Sequence, residues 1–265
     1  MLRGKALKNV GRRSSRFVWR NHEILRIEAF SDAVFAFAVT LTVVSLEVPL
    51  TFHELMESMR GMFGFAICFV FLVLIWYKQY LFFRYFGLRD RTTIILNSIL
   101  IFVVLFYVYP LKFLFSLLTT GNVVNQDGTE VHRISFVYEV KQLMLVYSAG
   151  FAAVYLMLFF LFLHAWNKRT ELSLNNVELF NLKTEMFMNI IVSGFGVVVM
   201  LTALLLSDEY AGNSWIWFLF IGPVVSVFYS RRFRMLKKKV SDEEMKEHLI
   251  AVEKSKKVKH YSAPV

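Results

Sequence analysis

Arg26-Ile27-Glu28-Ala29-Phe30-Ser31-Asp32-Ala33-Val34-Phe35-Ala36-Phe37-Ala38-Val39-Thr40-Leu41-Thr42-Val43-Val44-Ser45-Leu46-Glu47-Val48-Pro49 is the stretch on which the reading of the chain turns. From Ala29 to Val48 it is apolar except for a few small polar residues, Asp32 and Glu47. As a helix rising about 1.5 Å per residue, about 20 residues give roughly 30 Å, the thickness of a bilayer's hydrocarbon core. The stretch therefore predicts a membrane-spanning helix. Its beginning is unusual, because Glu28 and Asp32 stand one helical turn apart with Arg26 beside them. Charges at the edge of lipid are costly unless paired, and a helix that merely anchors a protein has no need of them.

The rest of the chain agrees with a membrane protein. Of its 265 residues 57% are hydrophobic, 28 are Phe, and the mean hydropathy is +0.52, well outside the range of a soluble domain. Further apolar runs fall at about 61–82, 92–110, 140–163, 185–206 and 215–229, which makes six spans. A soluble all-helical core would require polar faces that these segments lack. The single cysteine, Cys68, lies within an apolar run, so no intrachain disulfide is possible.

The net charge of +10 suggests nucleic acid less than topology, because the basic residues gather at span ends. Residues 1–28 carry Arg3, Lys5, Lys8, Arg12, Arg13, Arg16, Arg20 and Arg26 against Glu23 and Glu28. Arg84, Arg89 and Arg91 follow the second span, Lys168, Arg169 and Lys183 lie between the fourth and fifth, and Arg231, Arg232, Arg234 and Lys237 to Lys239 follow the sixth. The alternate connections hold acids instead: Glu54 and Glu57, Asp127 and Glu130, Asp208 and Glu209. The positive-inside rule then puts both termini in the cytoplasm and makes the span count even. The basic head is not a secretory signal, since the apolar run behind it is too long and has no small-residue cleavage site; attraction to anionic lipid is its simplest further role.

Smaller features complete the pattern. Val123-Val124-Asn125-Gln126-Asp127-Gly128-Thr129-Glu130-Val131 has an Asp-Gly pair between β-formers, a hairpin signal, with a disordered loop as the alternative. Ser241-Asp242-Glu243-Glu244 reads as a capping box opening a short helix with Met245, Leu249 and Val252 on one stripe, expected as a solvated tail. Glu171, Glu178 and Glu185, seven apart, read as a solvated helix face. No internal repeat is visible, since only the first three spans carry polar signatures.

Arg26-Ile27-Glu28-Ala29-Phe30-Ser31-Asp32 resembles the Arg-x-x-x-Phe-Ser-Asp signature of the transmembrane protein 175 family of potassium channels. Trp76 near the end of the second span, with Arg84 behind it, and Asn97 thirteen residues before Pro110 in the third, are similar to the family as well. The resemblance covers about Arg26 to Pro110, and beyond that it is only hydropathic. Gln79 departs from it, standing where the family commonly has His.

At 100° per residue, Ala33, Phe37, Thr40, Leu41, Val44 and Val48 form one stripe, with Glu28 and Asp32 on the far side. On geometry alone Thr40 bonds back to its own helix and the stripe faces lipid or a neighbouring helix. The resemblance implies instead that this face lines a pore, with Phe37, Thr40 and Val44 in the positions of a large aliphatic, a threonine and a large aliphatic. Phe37 is bulkier than the usual Leu or Ile, which bears on conductance. Trp76 alone would read as an interfacial aromatic, and Asn97 as an interhelical hydrogen-bonding residue.

The resemblance implies an all-α membrane protein with six transmembrane helices per subunit: a basic cytoplasmic segment 1–28, a channel domain 29–230 and a basic cytoplasmic tail 231–265. It implies a potassium-permeable cation channel, leak-type and also a candidate for protons, that assembles as a homotetramer because the chain holds a single copy of the six-span unit. Arg26, Phe30, Ser31, Asp32, Trp76 and Asn97 would pack the cytoplasmic end of the first helix. Potassium is the permeant ion, no cofactor is expected, and the partners are further copies and the bilayer of a cell membrane. The contending class is a proton-coupled secondary transporter with Glu28 and Asp32 as coupling carboxylates, although such proteins often show repeats and broken helices. A membrane scaffold, the third class, predicts no flux. An enzyme is not expected: the six histidines are scattered without metal-ligand spacing, and no phosphate loop or nucleophile elbow occurs.

Overall fold

Away from water a backbone satisfies its own polar groups most simply as a helix, and the apolar runs of this chain do so in the computed structural model. The structure describes residues 16–43, 51–120, 123–124, 130–131 and 137–257. Helix α1 is Arg26–Val43, α2 Phe52–Phe86, α3 Arg91–Thr120, α4 Val137–Asn167 and α5 Asn176–Leu205. A short α6, Asp208–Ala211, a 3-10 turn, Gly212–Trp215, and α7, Ile216–Leu219, lead into α8, Ile221–Lys239, and the chain continues as α9, Asp242–Lys257.

Five of these helical stretches are long and apolar enough to cross a membrane: Phe65–Phe86, Arg91–Leu111, Tyr138–Asn167, Asn176–Leu205 and Asp208–Lys239. They coincide with the second to sixth runs of the sequence. Helix α1 is not among them, because its 18 residues include Arg26, Glu28 and Asp32. The remainder of its apolar run, including Val44 and Val48, lies outside the described residues.

The core sits where α2, α3 and α4 meet. Phe82, Phe83, Leu100, Leu158 and Phe162 are buried there, and the Phe82 and Phe162 rings meet edge to face with centroids 5.4 Å apart. Helices α4 and α5 pack closely because small residues allow it. A Cβ placed on Gly196 would fall 2.8 Å from the Ser148 carbonyl oxygen and 2.9 Å from the Ala152 Cβ. Beside it the Ser193 hydroxyl donates to the Ala152 carbonyl at 2.9 Å. Helix α2 ends at Gly87, whose φ of 57° favours a residue without a side chain, and Asp90 then caps α3 through Thr93. Pro110 lies inside α3 without ending it.

A two-residue antiparallel pair, β1 (Val123–Val124) with β2 (Glu130–Val131), matches the expected hairpin. The Asp127-Gly128 tip lies outside the described residues.

Two expectations are corrected. The helix after the Ser241 box is docked, not solvated: Met245 and Val252 are buried, and Met245 packs with Val177 of α5 and Leu236 of α8. The box itself forms, with Ser241 N donating to the Glu244 carboxylate at 3.1 Å and Glu244 N to the Ser241 hydroxyl at 3.2 Å. Nor do the three glutamates form a solvated face. Glu171 is exposed, but Glu178 and Glu185 are buried beneath residues 16–25, which fold back over the start of α5.

Candidate functional site

Helix α1 has two unlike faces, and the chemistry follows from the difference. One face carries Glu28, Ser31, Phe35 and Ala38, all buried against α2 and α3. Ser31 donates to the Ile27 carbonyl at 2.7 Å and accepts from the Asn97 side-chain amide at 2.8 Å. Asn97 is fully buried, and its carbonyl oxygen accepts from the Gln79 amide. Gln79 thus fills the place of the family's His with a neutral donor. The bridge Gln79–Asn97–Ser31 therefore joins α2, α3 and α1 without a titrating group. Beside it the Trp76 indole N–H donates to Asp32 at 2.7 Å, with the ring stacked on Tyr80. Of the signature residues, Ser31, Asp32, Trp76 and Asn97 are brought together.

Arg26 and Phe30 are not. Both are exposed, and among the described residues no ion pair joins Arg26 to Asp32.

Glu28 differs in the opposite direction. Although it stands one turn nearer the amino terminus than Asp32, it is only 3% exposed. The cause is the segment 16–25, whose Asn21 amide and Leu25 backbone N–H both donate to the Glu28 carboxylate at 3.4 Å. Arg84 of α2 approaches the same carboxylate with its Nε at 3.8 Å. Its Nη1 donates to the carbonyls of Asn21 at 3.2 Å and His22 at 3.3 Å. One arginine thus ties the segment to the helix it precedes.

The sequence reading missed a second polar cluster at the same end. Arg20 grips Glu178 with two bonds of 2.7 Å, and Glu178 also accepts from the backbone N–H of Val18 at 2.9 Å. Arg16 donates to Glu185 at 2.6 Å, and the Tyr229 hydroxyl donates to the same oxygen at 3.0 Å. A signal was available: Asn175-Asn176-Val177-Glu178 has the form of a capping box, and both of its reciprocal bonds are present. A boxed glutamate is held in place and available to an arginine, as one on a free helix face is not.

The other face of α1 is exposed. Ala33, Phe37 and Thr40 are exposed there, Phe37 to 57%. The Thr40 hydroxyl donates back to the Ala36 carbonyl at 2.8 Å and lies 3.0 Å from that of Phe37. Val44 lies outside the described residues. Among the described residues no group of three His, Cys, Asp or Glu could hold a metal ion.

Comparisons with known proteins point one way. The family model described as endosomal/lysosomal potassium channel TMEM175 matches residues 26–107. A potassium channel of Marivirga tractuosa is 36% identical over 222 residues, 80% of this chain and 89% of the relative. One of Streptomyces collinus is 30% identical over 91 residues, 32% of this chain and 44% of that protein. Among solved structures, a threonine-to-alanine variant of the potassium channel MtTMEM175, in complex with a nanobody fusion, aligns with a TM-score of 0.71 at 33% identity over 84% of this chain and 97% of the other. A lysosomal potassium-selective channel TMEM175 homolog from Chamaesiphon minutus shares the fold, with a TM-score of 0.51 at 20% identity over 78% of this chain and 96% of that one.

Proposed function

Because the chain belongs to the TMEM175 family of potassium channels, we propose that it forms a potassium-permeable, leak-type cation channel in a cell membrane, as a homotetramer of six-span subunits whose α1 helices line the pore. Protons are a second permeant ion in this reading. Both termini are cytoplasmic, so residues 16–28 and the basic stretch beyond 230 form a collar beneath the membrane. The channel domain between them, 29–230, carries the spans.

The observation that carries this reading is the division of α1. Its buried face is satisfied within the chain, through Ser31, Asp32 and Glu28, whereas Phe37 and Thr40 on the opposite face are exposed. Further copies placed around an axis would bring those faces together, forming rings of Phe37, Thr40 and Val44. A hydrophobic ring excludes water, and a ring of hydroxyls replaces part of an ion's hydration shell. Arg26 and Phe30, exposed at the cytoplasmic end, would then meet the neighbouring subunit.

Glu28 and Asp32 serve poorly as coupling carboxylates in a transporter. Asp32 is bound by an indole and Glu28 is shut beneath the amino-terminal segment, so both already have structural partners within the chain. Flux through purified protein in liposomes under a potassium gradient tests the proposal. Passive current that does not saturate over the physiological range is expected. Slow saturable uptake driven by a proton gradient, or no flux, would overturn it.

A further inference from the structure

At the basic end of the bundle a cavity of about 230 Å³ opens between α5 and α8. Arg16, Thr184, Tyr229, Ser230 and Arg232 line it, over a floor that includes Phe180 and Phe233. Among the described residues the Glu185 carboxylate is bonded to this lining, held by Arg16 and Tyr229. Among the described residues Arg232 is bound to neutral groups: Nε donates to the Thr184 hydroxyl at 3.0 Å and Nη2 to the Phe180 carbonyl at 3.4 Å, with the guanidinium 4.1 Å from the Phe180 ring centroid. Among the described residues no carboxylate lies within ion-pairing distance of it. The pocket therefore holds two guanidinium groups against one carboxylate, and the surplus charge sits on an arginine whose orientation is already fixed by neutral partners.

Position narrows what could neutralise it. Arg232 lies within the candidate span Asp208–Lys239, which ends in Arg231, Arg234 and Lys237 to Lys239, and long basic side chains at a span end reach the level of lipid headgroups. Arginine's planar fork forms paired bonds to phosphate oxygens, the anionic group that phospholipid headgroups share.

We propose that this pocket binds the phosphate of an anionic lipid, with Arg232 as the principal donor and the Ser230 hydroxyl at its mouth. The bound lipid would bridge α5 and α8 beside Arg16, whose segment runs directly into α1. Its occupancy would thereby steady the amino-terminal strap of the pore helix.

The test uses the full chain, purified in mild detergent and mixed with phosphatidylglycerol, phosphatidylcholine or inorganic phosphate, with retained lipid counted by native mass spectrometry and stabilisation followed by thermal melting. Phosphatidylglycerol should be retained in preference to phosphatidylcholine. Arg232→Gln should weaken that retention by about tenfold, the scale of a lost charge-assisted contact. Ser230→Glu, which places a negative charge at the mouth and leaves the Arg232 bonds intact, should do the same in a protein that melts as the parent does. Arg234→Gln, an exposed arginine outside the lining, should change retention little. Equal losses from Arg232→Gln and Arg234→Gln would mean diffuse attraction to a basic surface and overturn the pocket. Stabilisation by inorganic phosphate with no lipid retained would overturn the lipid as occupant.

Discussion

Among the polar side chains around α1, physical cost ranks them differently from the motif. Asp32 is the signature residue, but Asn in its place keeps an oxygen for the Trp76 N–H, so Asp32→Asn should cost only about 1 kcal/mol, the worth of an ordinary hydrogen bond. Glu28 faces Arg84, which is 5% exposed and has no other carboxylate within reach among the described residues. Removing the charge of a buried partner costs about 3 to 5 kcal/mol, and the 3.8 Å separation places Glu28→Gln toward the lower end. Thermal unfolding followed by size-exclusion chromatography should therefore find Glu28→Gln the less stable of the two, and the reverse order would refute the assignment. For the neutral bridge, Asn97→Leu strands the Gln79 amide at a cost of roughly 1 to 3 kcal/mol. Adding Gln79→Leu should restore part of it, because the pair is then apolar throughout; additive losses would show that the two residues are not coupled. Asp32 and Asn97 were legible in the sequence because a polar residue in an apolar run calls for a partner, whereas Ser31 and Trp76 stood out only through the family resemblance. Glu28 was not, since its burial is caused by residues 16–25, whose basic composition reads as a solvated head.

The same segment decides matters at the scale of elements. The positions of α1 to α5 could be read from hydropathy, which is insensitive to partners, whereas the strap across the start of α5 depends on side chains more than 150 residues apart in sequence. Glu178 joins the two: it caps α5 through Asn175 and holds Arg20 and Val18. Glu178→Gln keeps a cap acceptor while giving up the ionic grip, so hydrogen exchange should rise in residues 16–25 and change little along the interior of α5. Increased exchange along the whole of α5 would instead make Glu178 a general stability residue. The carboxy-terminal helix α9 invites a pH test. The Asn176 amide, the Ser241 backbone N–H and the Ser241 hydroxyl all donate to Glu244 and hold its carboxyl below the usual glutamate range. A carboxyl depressed on folding contributes stability that is present above its unfolded pKa and is lost as pH falls through the folded value. Exchange at the first turn of α9 should accordingly rise on acidification into that range, and Glu244→Gln should remove the pH dependence while leaving the turn looser throughout. The Ser241 box was legible, since its spacing is local. The docking of α9 was not, because Met245 and Val252 reveal a face but not what covers it.

For the whole molecule the decisive fact is that α1 is buried on one face and exposed on the other. The 18 described residues of α1 reach about 27 Å, nearly a bilayer core. In the proposed tetramer the Thr40 hydroxyl matters through its oxygen. Its hydrogen is engaged by the helix's own carbonyls, so what the hydroxyl can offer a cation is its oxygen lone pairs. Thr40→Ala removes those acceptors and alters the width little, so potassium over sodium preference should fall while current persists. Phe37 acts by exclusion, since an apolar ring offers water no hydrogen bonds. Phe37→Asn should wet the constriction and raise current, and Leu41→Ala, at the edge of the stripe and already half-buried, should do less than either. Cysteine scanning in conducting channels checks the shared premise. Residues at 33, 37 and 40 should react with a water-soluble reagent, and those at 35 and 38, buried against α2 and α3, should stay protected. If 35 and 38 react while 37 and 40 do not, the pore lies on the face now assigned to packing, and the rings of Phe37 and Thr40 are abandoned together.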